Sequence, residues 1–230
     1  MQNYHYSYLV GALIFDLAWL ACYLVGKNYR AEIRWGTLIS APLALTSILF
    51  VPQYWTPPSL FNLDQKIRVG IEDFLWAAAV GGMASVVAEI LLKERLSVIR
   101  KAARKRHFAP LVFVVVAFIA LELWHRDKTI YNTIIAFAIG GVVIAYLRSD
   151  LIPTMLIGAL SFTALYFVLF LFVLLLYPDF VRRYYNIAHL LGIYVCGVPI
   201  EELLFAGTGG ATWSAAYEYL QGYRLEPGSA

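Results

Sequence analysis

Two short stretches place paired acids inside apolar sequence. One reads Val69-Gly70-Ile71-Glu72-Asp73-Phe74-Leu75-Trp76, the other Val198-Pro199-Ile200-Glu201-Glu202-Leu203-Leu204-Phe205. A charged side chain in the middle of a membrane helix costs roughly 3 kcal/mol, so intramembrane acids point to function. Adjacent residues on a helix point about 100° apart. One acid of each pair can therefore face a shared cavity while the other serves its helix N-terminus, where the dipole favours negative charge. Glu72 shares a helical face with Trp76 and Met83, and Glu201 with Phe205, Thr208 and Thr212. Glu72 and Glu201 are thus the expected acid/base pair, with Asp73 and Glu202 beside them. Trp76, Phe205, Met83, Thr208 and Trp213 are the expected substrate-binding side chains. Loss of hydration favours the protonated form of a carboxyl, the form a general acid needs. Aromatic faces stabilise a cation through their quadrupoles. Acids lined by aromatics suit proton-initiated chemistry on an alkene.

Other polar residues fall in the same half of the expected bundle. Asp16, Glu122 and His189 are expected to support the motif acids, and His125 to be an interface residue. Glu89 and Glu218 each follow a motif acid by 17 residues, about 25 Å along a helix. They cannot share that site, and snorkelling or pairing with basic loops accounts for them. No cluster has metal-ligand spacing, and no glycine loop of the dinucleotide-binding type is present.

The elements that must hold these acids are membrane helices. The chain has 230 residues, 61% hydrophobic and 14% charged, with mean hydropathy +0.68. Soluble domains carry about 25% charged residues. With roughly 20 apolar residues per span, the length accommodates about seven spans. The hydropathy pattern predicts helices over Tyr6–Val25, Trp35–Val51, Ile67–Leu92, Phe108–Trp124, Thr129–Leu147, Leu151–Tyr177 and Ile187–Leu220. Gly197, Pro199, Gly207, Gly209 and Gly210 are candidate breaks in the last. Cys22 and Cys196 read as buried packing residues. The first apolar stretch follows residues without Lys or Arg and reads as a retained helix, and Leu225 to Ala230 reads as a loose tail. The net charge of +3 and its placement in loops imply membrane anchoring, not nucleic-acid binding. Twelve of the Lys and Arg residues fall on the side of the C-terminus and six on the other, so the N-terminus is expected outside and the C-terminus in the cytoplasm. The basic connection from Lys93 to His107 reads as the topology determinant.

The two acid stretches also behave as copies. At the same offset of 129 residues, Gly81 matches Gly210 and Glu89 matches Glu218. Arg30-Ala31-Glu32-Ile33 resembles Arg148-Ser149-Asp150-Leu151, and Phe61-Asn62-Leu63 resembles Tyr185-Asn186-Ile187. The expected fold is therefore an all-α integral membrane protein. It is one membrane domain (1–230) of two parallel three-helix repeats, 6–92 and 129–220, joined by a basic loop and linking helix over 93–128. A linking helix gives both copies one orientation.

Pro199-Ile200-Glu201-Glu202-Leu203-Leu204-Phe205 resembles the proline-x-acid-acid-x-x-phenylalanine motif of the membrane-embedded lycopene cyclase domain, found in heterodimeric bacterial cyclases and in fungal bifunctional cyclase–phytoene synthases. The resemblance extends over approximately Tyr6 to Tyr219. It implies a tandem of three-helix units and an isomerase-type cyclisation, in which a protonated acid adds a proton to the terminal double bond of a linear carotenoid. The family's motif acids map onto Glu201 and Glu202, and onto Glu72 and Asp73. In the first copy Gly70 stands for the proline and Trp76 for the phenylalanine, and Gln53-Tyr54-Trp55-Thr56-Pro57-Pro58 stands where the family has an Asp-bearing signature. The implied partners are a hydrophobic isoprenoid or carotenoid and membrane lipids, with room for a homo-oligomer and no cofactor. The alternative class is a non-enzymatic transporter or lipid-binding protein using the acids as proton or cation sites. A prenyltransferase is disfavoured by the lack of an Asp-rich magnesium cluster, and a retinal pigment because the last Lys is Lys128.

Overall fold

In a computed structural model, residues 4–92, 95–98 and 108–226 are described. Most of the basic connection over 93–107 lies outside them. The apolar stretches form helices because a backbone in lipid must satisfy its own hydrogen bonds. α1 is Ser7–Val25. α2, Arg30–Ser40, continues through a 3-10 segment, Ala41–Thr46, into α3, Ser47–Phe50. α4 is Leu63–Ile67, α5 Ile71–Ala84 and α6 Val87–Leu92. α7 is Ala109–Trp124, α8 Thr129–Leu147, α9 Ile152–Leu176, α10 Phe180–Tyr184 and α11 Ile200–Gln221. Among the described residues, four helical stretches are long and apolar enough to cross a membrane: Tyr4–Val25, Lys27–Phe50, Thr129–Leu147 and Ser149–Leu176. Their outward faces expose large apolar side chains, among them Leu17, Leu38, Val142 and Leu160. Such surface belongs against lipid, and the chain is an all-helical membrane protein.

The acid-bearing helices have a different character. α5 packs on α1 and α2, and α11 on α8 and α9, so both are wrapped by the apolar helices. Membrane helices approach closely through small residues, and the two contacts use the same device. A Cβ on Gly81 would lie 2.9 Å from the Gly36 carbonyl oxygen, and one on Gly210 would lie 2.7 Å from that of Gly158. Ser85 and Ser214 stand beside the partner glycines Gly36 and Gly158 in the same way.

Several expectations about the elements change. The last helix begins at Ile200, not Ile187, and Gly207, Gly209 and Gly210 do not break it. The preceding residues form a 3-10 turn, Ile187–His189, and a hairpin of β2 (Tyr194–Val195) with β3 (Val198–Pro199). Cys196 and Gly197 turn it with φ of 51° and 87°, a left-handed step that no helix accommodates. Cys196 is therefore exposed, not buried. Ile67 does not start the third helix either. Arg68, at φ 62°, ends α4, and α5 starts at Ile71. Of the expected tail, Leu225 and Glu226 belong to β4 (Tyr223–Glu226), which pairs antiparallel with β1 (Arg95–Val98), and 227–230 lie outside the described residues.

The loops ahead of α5 and α11 are joined to each other. The Thr56 N–H donates to the Tyr184 carbonyl at 2.7 Å, and the Asn186 N–H to the Tyr54 carbonyl at 2.8 Å. This pairing brings Tyr54 and Tyr185 over the heads of the acid-bearing helices.

Candidate active site

Each acid pair sits in the first turn of its helix, at the second and third positions. α5 is capped by Gly70 and α11 by Pro199. An acid at the third position can reach back to the cap N–H. Asp73 does so, with Oδ2 accepting from Gly70 N–H at 2.6 Å. Proline has no N–H, so Glu202 has no such bond to make. Both Glu202 oxygens accept hydrogen bonds from phenol hydroxyls instead, Oε1 from Tyr54 and Tyr185 at 2.8 Å each and Oε2 from Tyr166 at 2.5 Å. The second oxygen of Asp73, Oδ1, accepts from the Tyr8 hydroxyl at 2.6 Å. Gly70, the departure from the motif's proline, has a steric reason too. A Cβ there would lie 2.9 Å from both Asp64 Oδ2 and Glu72 Oε2.

Asp73 and Glu202 face one cavity of about 410 Å³. Its walls come from α1, α5, α7, α8, α9, α11 and the segment after α2. Tyr8, Tyr54, Tyr166 and Tyr185 stand around the two acids, and Phe15, Trp55, Trp76, Phe205 and Trp213 line the apolar remainder. Trp76 and Phe205, matching positions of the two motifs, stack with centroids 5.7 Å apart and planes at 24°. Each also packs against the Tyr166 ring. A cation forming here would meet aromatic faces on several sides and two carboxyls at one end.

Glu72 and Glu201, the pair expected on the cavity, are turned away from it. Glu72 Oε1 accepts from Leu60 N–H at 2.7 Å. Glu201 Oε1 accepts from Leu191 N–H and from the Tyr131 hydroxyl, both at 2.6 Å. Both acids thus pin the loop that leads into their own helix. Phe205 lies four residues after Glu201 and three after Glu202, so helical spacing leaves both acids on its side, and the cavity takes the third residue of the first turn, not the second.

The remaining expected residues divide. Trp76, Phe205 and Trp213 line the cavity, whereas Met83 and Thr208 do not. Met83 is fully buried in the packed core, and Thr208 bonds back to the Leu204 carbonyl. Glu122 accepts from Asn132 Nδ2 at 2.7 Å and joins α7 to α8. Asp16 is half-buried on α1, away from the cavity lining. His189 lies in the 3-10 turn, and its carbonyl accepts from the Tyr131 hydroxyl at 3.4 Å. Glu89 and Glu218 do not line the cavity, and they do not snorkel. Both are fully buried, and with Glu32 they form a cluster of carboxylates.

Sequence reasoning passed over the four tyrosines and Asp64. Tyr54 lies in the stretch that departs from the family signature, and Tyr185 in the Tyr-Asn-Ile segment, so two were in view without a role. Asp64 is buried in α4 beside Asp73. Burial and the Asp73 carboxyl push its pKa up to about 8, with the Ser59 hydroxyl opposing. At neutral pH this acid holds its proton.

Fold and site define a class: a helical membrane protein with two carboxyls at the head of an apolar, aromatic-lined cavity. Residues 128–220 match the family model described as lycopene cyclase. The matched stretch runs from just before α8 to the last turn of α11 and contains Glu201, Glu202 and Tyr166. No curated protein and no solved structure matches the chain.

Proposed function

We propose that the protein cyclises the end group of a linear carotenoid or related isoprenoid, with Asp73 and Glu202 as its acid/base pair. The observation that carries this reading is the placement of those two carboxyls at one apolar cavity whose walls are aromatic. Asp73 delivers a proton to the terminal double bond. The resulting tertiary cation is attacked by a neighbouring double bond, which closes the ring and moves the positive charge onto it. Glu202 accepts a ring proton, and the electrons of that C–H bond form the new double bond. Atoms and electrons balance without a redox partner.

The two acids differ in ways that fit these roles. Glu202 accepts hydrogen bonds from three phenol hydroxyls. Hydrogen bonds to a charged group are worth about 1.5–3 kcal/mol each, and all three favour the carboxylate, the form a base and a cation's counter-charge need. Asp73 stands beside Asp64, which holds a proton at neutral pH and lies in α4, ahead of α5. Asp64 is thus placed to reprotonate Asp73 after each turnover. A cavity of about 410 Å³ falls at the lower end of the usual ligand-site range of roughly 300–1,000 Å³. It suits one end of a long polyene, with the rest of the chain in lipid.

The architecture in this reading is seven spans arranged as three, one and three. α1, α2–α3 and α5–α6 form one repeat, α8, α9 and α11 the other, and α7 links them. The matching glycine contacts and the Trp76–Phe205 stack support the duplication. The charge distribution puts the N-terminus outside and the C-terminus in the cytoplasm.

The test is expression in lycopene-accumulating bacteria followed by pigment analysis, with linear homologues of lycopene supplied in parallel. Cyclised products that disappear in D73N and E202Q are the expected result. Unchanged pigment with every linear substrate overturns the cyclase reading.

A further inference from the structure

The cavity that holds Asp73 and Glu202 is closed around the acids and open along one side. Both acids and the four tyrosines beside them are buried. Among the described residues that line the cavity, only Leu43, Val115 and Ile119 are exposed, at 39%, 50% and 52%. They come from two elements: Leu43 from the 3-10 segment Ala41–Thr46, and Val115 and Ile119 from α7. A side chain that borders a cavity and is also exposed marks its mouth. This mouth lies within the apolar helical stretches Lys27–Phe50 and Ala109–Trp124, so it faces hydrocarbon and not water.

Local sequence shapes both sides of the mouth. Pro42 fixes φ and has no N–H to continue the α-helical ladder, and the chain tightens to a 3-10 helix over Ala41–Thr46. Residues three apart then stand in one column. Ser40, Leu43 and Thr46 form such a column on the cavity wall. Ser40 Oγ donates to the Thr37 carbonyl at 3.3 Å and Thr46 Oγ1 to the Leu43 carbonyl at 2.6 Å, so neither hydroxyl needs a polar partner from the cavity. The other side is α7, where Val114, Val115, Phe118 and Ile119 share one helical face. α7 packs on α8, with Val114 against Gly140. Ion and proton paths in membranes are marked by ionisable residues, and the three rim residues are all hydrocarbon.

The lining runs along α5 from Asp73 to Gly81, about 12 Å, and along α11 from Glu202 to Trp213, about 16 Å. A linear carotenoid is much longer than its end group, so most of it must lie outside. We propose that the unreacted tail of the substrate leaves the cavity for lipid between α7 and the 3-10 segment, across a rim formed by Leu43, Val115 and Ile119. The occupant is an uncharged isoprenoid chain, continuous with the end group held at Asp73 and Glu202. The inference rests on the cyclase reading and adds to it the route by which a lipid-dissolved chain reaches buried acids.

The full-length protein is placed in phospholipid vesicles with and without lycopene. An apolar aryl diazirine dissolved in the lipid labels lipid-facing side chains on illumination, and labelled residues are read by mass spectrometry. Val142, exposed on α8 and outside the cavity lining, is the internal reference and corrects for light absorbed by the carotenoid. Lycopene should lower labelling of Leu43, Val115 and Ile119 at least threefold relative to Val142. The double variant V115W/I119W, which narrows the mouth, should turn over lycopene at least tenfold more slowly at an unchanged melting temperature, whereas V142W should not. Cyclised product with no protection of the rim overturns the route and leaves the cyclase reading standing. So does cyclised product with labelling at Val142 lowered as much as at the rim, the sign of carotenoid dissolved around the whole protein. A protected rim with no cyclised product from any linear substrate defeats the cyclase reading and leaves the route for an isoprenoid chain. Neither protection nor product overturns both.

Discussion

Gly209 and Gly210 are neighbours on α11, and the same substitution should act on them in opposite directions. A Cβ at Gly210 would meet the Gly158 carbonyl oxygen at 2.7 Å and Phe162 Cβ at 2.9 Å. One of these is backbone, so relief requires α9 and α11 to move apart. Overpacking of this kind costs about 1–3 kcal/mol. A Cβ at Gly209 would meet only the Phe137 ring, at 3.9 Å, an ordinary contact. There alanine gains helix propensity of up to about 1 kcal/mol. For a chain of this size each kcal/mol moves the melting temperature by roughly 2–4 °C. G210A should therefore melt about 2–12 °C below the wild type, and G209A at or up to about 4 °C above it, by circular dichroism in one detergent. The effect should reach the site, because the α9–α11 contact sets Tyr166 against Glu202. G210A should lose part of its activity and G209A should keep it. Equal stability of the two variants would refute the close-packing argument.

Further outcomes follow from the hydrogen bonds and from Asp64. Replacing Tyr54, Tyr166 or Tyr185 singly by Phe removes one of three donors to Glu202, worth about 1.5–3 kcal/mol, and should slow product formation roughly ten- to a hundredfold in membranes. Asp64, with its folded-state pKa near 8 and an unfolded value of about 4, binds a proton in the native state that the unfolded chain releases. Its contribution is fully present below about pH 4 and is lost as pH rises towards 8. D64N should flatten that slope in melting temperature against pH.

The helices were legible because lipid enforces long apolar runs, as in α1, α8 and α9. The start of α11 was not. Ile187 to Val198 is as apolar as a helix, and nothing in its hydropathy shows that it turns back as a hairpin at Cys196 and Gly197. The choice within each acid pair was not legible either, because Trp76 and Phe205 lie three residues from one acid and four from the other, and both spacings share a helical face. The motif acids, Trp76, Phe205 and Trp213 were legible as a group from spacing and type. The tyrosines were not, because Tyr54 and Tyr185 reach Glu202 from loops that meet only through tertiary pairing. Nor was the Glu32–Glu89–Glu218 cluster, which joins three elements distant in sequence.

The most direct measurement compares the two acids of each pair in the pigment assay with a cyclised substrate in hand. D73N and E202Q should abolish cyclisation at unchanged protein level. E72Q and E201Q, which alter loop anchors, should lower stability yet leave turnover of the folded protein within about tenfold. Loss of activity in E72Q and E201Q with activity kept in D73N and E202Q would contradict the assignment of the cavity pair.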